Sequence, residues 1–360
     1  MANRILNFSA GPAALPEQVL EQAKKDMWNI ADSGIGICEH SHRGPVFDQV
    51  LEEAVQDCRS VGNIPDEFDI LFLQGGATMQ FAMIPMNFLS SGECANYINT
   101  GVWAKKAIGE ARKLGDVNVA FDGVDDKYSY VPEQEDLNLK ENAAYLHYCS
   151  NNTIYGTQFT SEFKVDSRII CDMSSDFFSK PIDWSRFDMV YGGAQKNLGP
   201  SGTVLVVIRK DMLSKCPESL PIMFNYNAIA EKGSRLNTPP VFGIYLMGQI
   251  FKWIQREGGL EEIQKRNERK AGYIYDSLKS NSERYTIFAQ ERSRSLMNIA
   301  FTTGSKKLDD QFIEEASGQD MSGLKGHRNL GGLRASIYNA FPEKGCEKFA
   351  DFLQAFALSH

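Results

Sequence analysis

Seven short apolar runs crowd the stretch from residue 68 to 208, and helical patterns separate several of them. The runs are Asp69–Leu73, Cys94–Ile98, Val117–Phe121, Ala144–Cys149, Arg168–Cys171, Asp188–Tyr191 and Thr203–Ile208. Helix-like segments at Met79–Leu89, Val102–Leu114 and Pro132–Leu139 lie between them. Strands that alternate with helices predict a mostly parallel, seven-stranded sheet covered on both faces, an α/β architecture. One connection breaks the rule. Residues 192–202 are too few for the helical crossover that parallel neighbours need, so the last two strands are antiparallel or not adjacent.

The texture changes after Pro239-Pro240. Val241–Arg256 is apolar and helical in period, and Gly258-Gly259 is a stop signal. A charged helix is expected over Leu260–Leu278, then strands at Tyr285–Ala289 and Leu296–Phe301. A helix near Leu308–Ala316, a strand near Leu333–Ile337 and a terminal helix from Pro342 complete a small α+β unit. The expected division is an N-terminal segment (1–15), a large domain (16–257) and a smaller C-terminal domain (258–360).

Charge limits the partners. The chain has 38 Lys+Arg against 46 Asp+Glu, a formal net charge of −8 over 360 residues. No broad positive field exists to meet nucleic acid or an anionic membrane, so any anion must be met by a few placed cations. Seven cysteines without a CxxC pair read as reduced thiols and predict a cytoplasmic setting. Residues 1–16 lack the basic head and apolar stretch of a secretory signal.

Several residues sit just past the C-terminal ends of expected strands. Gln74-Gly75-Gly76-Ala77-Thr78 joins strand to helix with free N–H groups suited to a phosphate, or is simply a turn. Trp103 is a core aromatic or a plate for a flat ring. Thr153 follows the strand ending at Cys149. Asp172 either caps a turn or pairs with a ring nitrogen. Lys196 lies in a loop between Gly192-Gly193 and Gly199-Pro200, as a solvated lysine or as a Schiff-base lysine, which must be desolvated to attack an aldehyde. In an open α/β sheet these strand ends form one rim, where ligands bind. A phosphate cup, a ring plate, an acid and a lysine on one rim form the inventory for pyridoxal phosphate. His40-Ser41-His42 lacks a convergent acid or cysteine, so no metal is expected. His147 in its apolar strand reads as a hydrogen-bonded core residue.

The stretch Gly192–Gly202 around Lys196, its spacing from Asp172, and the blocks Leu324–Arg328 and Gly331–Ala340 resemble the phosphoserine aminotransferases. Asn7–Pro12 and Ser41–Gly44 match the same family, a branch of the class V, fold-type-I pyridoxal phosphate transferases. The resemblance spans about residues 5 to 355. It implies reversible amino transfer between L-glutamate and 3-phosphohydroxypyruvate, giving O-phospho-L-serine and 2-oxoglutarate. It extends to the 4-phosphohydroxythreonine reaction of pyridoxine synthesis. It implies that Lys196 holds the cofactor and moves a proton, that Asp172 pairs with the ring nitrogen, and that Trp103 stacks on the ring. Thr153 would bond near the ring hydroxyl, and Ala77, Thr78 and Gln195 would hold the phosphate. Some relatives have Gly-Arg where this chain has Ala77-Thr78. Asn237 and Thr238 would reach the phosphate of a neighbouring subunit, which implies a homodimer with shared sites. Arg334 would take the substrate α-carboxylate, and Arg43 with His42, His327 and Arg328 the distal carboxylate or phosphate. Ser9 would lie at the substrate end. The rival readings are an alanine–glyoxylate-type aminotransferase, a cysteine desulfurase, or a cofactor-free binding protein on the same fold.

Overall fold

The computed structural model describes residues 4–360, so the first three residues of the expected N-terminal segment lie outside it. A two-residue strand β1 (Leu6–Asn7) and helices α1 (Glu17–Asp26) and α2 (Pro45–Gly62) come first. The alternating region follows as β2 (Phe68–Gln74), α3 (Ala77–Phe88), β3 (Cys94–Asn99), α4 (Val102–Ala111), β4 (Asp116–Asp122) and β5 (Tyr145–Cys149). A small hairpin, β6 (Asn151–Asn152) with β7 (Thr157–Gln158), precedes β8 (Arg168–Asp172), β9 (Met189–Gly193) and β10 (Thr203–Arg209). Short helices α5 (Lys210–Leu213) and α6 (Tyr226–Glu231) lead to the long α7 (Val241–Arg256) and α8 (Gly259–Ser280). The remainder is β11 (Thr286–Ile287), β12 (Asn298–Thr302), α9 (Lys306–Ser317), β13 (Met321–Ser322), β14 (Leu333–Ser336) and α10 (Glu343–Ser359).

The seven expected strands form one sheet in the order β2-β10-β9-β8-β5-β3-β4. Strand β10 is antiparallel to both β2 and β9, and the other pairings are parallel. Of the two outcomes that the short connection to β10 allowed, the structure shows the antiparallel pair. Both sheet faces are covered, which is why the strands read as unbroken apolar runs. In β10, Leu205 and Val207 enter the core shared with α2 and α7, whereas Val204, Val206 and Ile208 enter the core shared with α3, α4 and α6. On the first face, a methyl built on Gly248 would stand 3.3 Å from the Ala54 Cβ, so α2 and α7 meet through small residues.

The C-terminal region has its own core around Phe301, Phe312, Leu333, Phe349 and Phe352. Strands β11-β12-β14 form its antiparallel sheet. Strand β1 pairs in parallel with β13, and Phe8 packs into that core 4.4 Å from the Phe341 ring and 4.7 Å from Phe349. The start of the chain is therefore anchored to its end. No helix of the described residues is long and apolar enough to cross a membrane.

One expected helix is absent. Pro132–Leu139 holds only a single 3₁₀ turn, Gln134–Asp136. The chain there runs beside β4, with the Asn138 N–H donating to Ala120 O and the Asn118 amide donating to Asn138 O. Leu137 and Leu139 both pack against the α2–α7 core. Their two-residue spacing suits an extended segment, and those tertiary contacts override the helical pattern.

The Phe8 anchor is testable. Phe8 is 0% exposed, so Phe8→Ala should cost about 3–5 kcal/mol in chemical denaturation. Trp28, 85% exposed, should tolerate Ala within about 0.5 kcal/mol. Equal effects would show that the N-terminal segment is not anchored.

Candidate active site

The C-terminal ends of β3, β5, β8 and β9 lie along one rim because these strands run parallel. Strand order reverses beside β3: β4 lies on one side of it and β5 on the other. Such a switch point is where open α/β sheets bind ligands.

Lys196 enters from the turn after β9, which is closed by the Leu198 and Gly199 amides donating to Ala194 O. Its side chain is buried, and Nζ donates to Thr153 Oγ1 at 2.7 Å and to Ser175 Oγ at 2.8 Å. Those two hydroxyls are 2.7 Å from each other. Burial pushes the amine pKa down to about 8; Asp172 opposes this, and Arg334 adds to it. At pH 7.5 about a quarter of such amines are neutral, against about one in a thousand for an ordinary lysine. That is the state a nucleophilic amine needs.

Asp172 ends β8 and is buried. Its Oδ1 accepts from the Ser174 N–H at 2.9 Å and from the Ser174 hydroxyl at 2.6 Å. Its Oδ2 meets only the Cys149 thiol, at 3.9 Å. Burial raises its pKa, and hydrogen bonds from Ser174 with the nearby Lys196 charge hold it down. One carboxylate oxygen is thus left without a strong donor.

Trp103 opens α4 and packs with Tyr128, Ile154, Tyr155 and Leu330. Its buried Nε1 has no hydrogen-bond partner. Gly101 sets the approach of the neighbouring turn. With φ at +146°, it leaves room for the Asn152 amide, and a Cβ there would stand 2.2 Å from Asn152 Nδ2. That amide donates to Thr100 O, while its oxygen accepts from the Ile154 and Tyr155 amides, so the turn holding Thr153 is fixed against the end of β3.

Arg334 arrives on β14, in the sheet of the C-terminal core. It donates through Nη1 to Thr153 O at 3.1 Å, and its buried Nε has no partner. No carboxylate pairs with it among the described residues, which leaves guanidinium N–H groups for an incoming acid. His327 lies nearby, its pKa lowered first by burial and then by Arg334, Arg328 and Lys106. Lys106 stands 4.7 Å above the Trp103 ring.

Ala77 and Thr78 begin α3 behind Gly76, which gives no side-chain cap, so their N–H groups are free. The Asn237 amide donates to Gln74 Oε1 at 2.8 Å beside this turn, and Thr238 is exposed next to it. Gln195 is half-buried, and its carbonyl accepts from Ala13 N at 2.9 Å, which lays the N-terminal segment along the lysine turn. Ser9 sits in that segment, its N–H bound by Asn7 Oδ1 at 3.0 Å. Arg43 donates to His42 Nε2 at 3.3 Å on the loop before α2. No hydrogen bond or ion pair among the described residues joins that pair to Lys196 within one chain. His147 is buried against the Tyr191 hydroxyl at 2.9 Å, and burial pushes its pKa to about 3, so it is a neutral core residue as expected.

Sequence reading passed over Ser174, Ser175, Asn152 and Lys106. Two hydroxyls two and three residues after Asp172 at a strand end, and a lysine one turn beyond Trp103, were the available signals.

The Aminotransferase class-V family matches residues 5–349. The phosphoserine aminotransferase of Desulfotalea psychrophila is 48% identical over 360 residues, spanning 100% of this chain and 99% of that protein. That of Lysinibacillus sphaericus is 45% identical over 361 residues, covering 100% of both. Among solved structures, the Bacillus circulans phosphoserine aminotransferase superposes with a TM-score of 0.97 at 45% identity over 99% of both chains. The PLP-bound enzyme of Trichomonas vaginalis gives 0.93 at 36% identity, over 98% of this chain and 100% of its own. An alanine–glyoxylate aminotransferase from Nostoc, 16% identical with a TM-score of 0.79, shares the fold.

The depressed Lys196 pKa fixes a sign. The folded, cofactor-free protein loses this proton near pH 8, whereas the unfolded chain keeps it to about 10.5. Between those values the unfolded state binds more protons, so this group adds stability as pH rises, by about 3 kcal/mol in total. Relative to Lys196→Met, the cofactor-free protein should gain that much in urea unfolding from pH 8 to 10.5. A constant difference would mean that the amine titrates normally.

Proposed function

The chain belongs to the class-V aminotransferase family, and from that premise we infer that it is a phosphoserine aminotransferase. It moves an amino group reversibly between L-glutamate and 3-phosphohydroxypyruvate, with pyridoxal phosphate as cofactor. The observation that carries the reading is the buried Lys196 amine, aimed by Thr153 and Ser175 on the same rim as a half-satisfied Asp172, with Arg334, unpaired with any carboxylate, bonded to Thr153 O.

The donor set fits the cofactor. Lys196 would hold its aldehyde carbon, Asp172 Oδ2 the ring N–H, and Trp103 the ring face, with Thr153 beside the ring hydroxyl. The free amides at Ala77 and Thr78, with Gln195, would hold its phosphate. When bound, pyridoxal phosphate supplies an aldehyde for amines and a ring that takes up electrons released at the substrate Cα.

The protein's own residues do the remaining work. Thr153 and Ser175 orient Nζ, and a base near pKa 8 can take a proton from the substrate Cα and return it. Arg334 binds the α-carboxylate and, through Thr153 O, keeps it in register with the lysine. His327 and Arg328, with Arg43 and His42, meet the distal group. A phosphate dianion uses more donors than a carboxylate, so a cluster of cations favours a phosphorylated substrate.

A homodimer completes this site. Met79 and Phe224 are 38% and 36% exposed, and the groove they line also contains Asn237 and Pro239. A second copy seated there would bring its Asn237 and Thr238 to the cofactor phosphate, and Arg43 to the distal group. A desulfurase is disfavoured because the one exposed thiol, Cys38, lies against the Met27 sulfur before α2.

The purified protein should absorb in the near-visible, and borohydride should fix the cofactor to the peptide holding Lys196. A colourless protein would favour a cofactor-free binding role. With glutamate as donor, 3-phosphohydroxypyruvate should outrun pyruvate, oxaloacetate and glyoxylate as acceptor; preference for glyoxylate would sink the assignment. Arg328→Ala should raise KM for phosphoserine about tenfold while moving that for glutamate less, as loss of one charge-assisted contact implies. Arg334→Ala should impair both half-reactions alike.

A further inference from the structure

Asp172 is placed by a residue that the reading above leaves without a task. After β8 the chain turns back, with the Met173 N–H donating to Tyr191 O at 2.8 Å and the Phe177 N–H to Met173 O at 2.7 Å. The turn lies directly against β9. A Cβ on Gly192 would stand 2.8 Å from Phe177 Cδ1 and 3.2 Å from Ser174 Cα, so only glycine lets the strand approach. That approach brings the Gly193 N–H to 3.0 Å from Ser174 Oγ.

The direction of this bond follows from chemistry. A backbone N–H can only donate, so the serine oxygen accepts from it. The serine proton is then available, and Asp172 Oδ1 at 2.6 Å is the one acceptor within hydrogen-bond reach of that hydroxyl among the described residues. With the Ser174 N–H also on Oδ1 at 2.9 Å, that oxygen accepts twice, which favours the carboxylate. We propose that Ser174 is a positioning residue: its hydroxyl, oriented by the Gly193 amide, locks one oxygen of Asp172 and leaves the other for the ring nitrogen of the cofactor.

This rests on the pyridoxal phosphate reading and adds a relay to it. The amide that orients Ser174 ends the strand from which the Lys196 turn departs, so the acid and the lysine are set by one piece of backbone. The other ionisable groups around Asp172 are Lys196, Cys149, Cys171, Asp176 and Tyr191, and none of them donates to Oδ1.

A double-mutant cycle tests it, with pyridoxal phosphate titrated into the cofactor-free wild type, Ser174→Ala, Asp172→Asn and the double variant. Ser174→Ala should weaken binding about tenfold and alter the near-visible band of the bound cofactor, because loss of a bond to a charged group loosens its partner. In the Asp172→Asn background the same change should cost less than about threefold, since the charge it serves is gone. Equal losses in both backgrounds would make Ser174 merely structural and overturn the proposal, as would a Ser174→Ala protein indistinguishable from wild type. Should Ser174→Ala not fold, Ser174→Cys, of similar bulk and poorer donor strength, takes its place with the same expectations. A wild type that binds no pyridoxal phosphate would remove the cofactor reading itself, an outcome distinct from a flat Ser174 result.

Discussion

An amine cannot be buried at the end of a sheet unless something receives its hydrogens. Here Thr153 and Ser175 do so, one from the β6–β7 hairpin that follows β5 and one from the turn after β8, while the lysine comes from the turn after β9. Three strand ends must therefore be in register to within a few tenths of an ångström for Lys196 to sit where it does. The parallel pairing of β5, β8 and β9 supplies that register, and burial supplies the chemistry by favouring the neutral amine. Gly101 and Gly192 serve the same end, because each allows backbone to approach where a side chain would block it.

The substrate side depends on how the two cores are joined, and the joint is polar. The Asn151 amide donates to Asn298 Oδ1 at 2.8 Å, and the Asn298 amide reaches Ser336 Oγ at 3.0 Å and the Tyr338 hydroxyl at 3.1 Å. Tyr338 donates to Ala10 O at 2.7 Å. Asn197, next to the lysine, donates to Ser175 O and accepts from the Asn339 amide at 2.9 Å. Behind them, Lys270 is fully buried and donates to the carbonyls of Ile337, Tyr338 and Phe341. Burial pulls its pKa to about 7, yet three acceptors call for three N–H groups, which only the ammonium has. Directional bonds of this kind fix one docking geometry, where an apolar contact would tolerate sliding. Arg334 is aimed at Thr153 as a result.

Local charge departs from the net charge. The chain carries a net charge of −8, yet Arg334, Arg328 and Lys106 gather around His327. None of the four is ion-paired to a carboxylate among the described residues. Burial first, and then the charges of Arg334, Arg328 and Lys106, hold His327 below its ordinary pKa. A small local cluster gives positive potential at one place without making the whole surface basic.

Much of this was legible in the sequence because it depends on neighbours along the chain. Short apolar runs, a connection too short for a crossover, and chemistry-bearing residues just past strand ends gave the sheet, the exception at its last two strands and the rim holding Trp103, Thr153, Asp172 and Lys196. The pattern at Pro132–Leu139 misled, since contacts with β4 decide that segment. Helix α2 escaped the reading although Phe47, Leu51, Ala54 and Cys58 carry its buried stripe. What only the tertiary structure decided is partnership across long separations. Ser175 with Lys196, Ser174 with Gly193, and Arg334 with Thr153 lie 21, 19 and 181 residues apart. A hydrogen bond depends on distance and angle in space, and side-chain type alone does not specify which distant backbone will supply the other half.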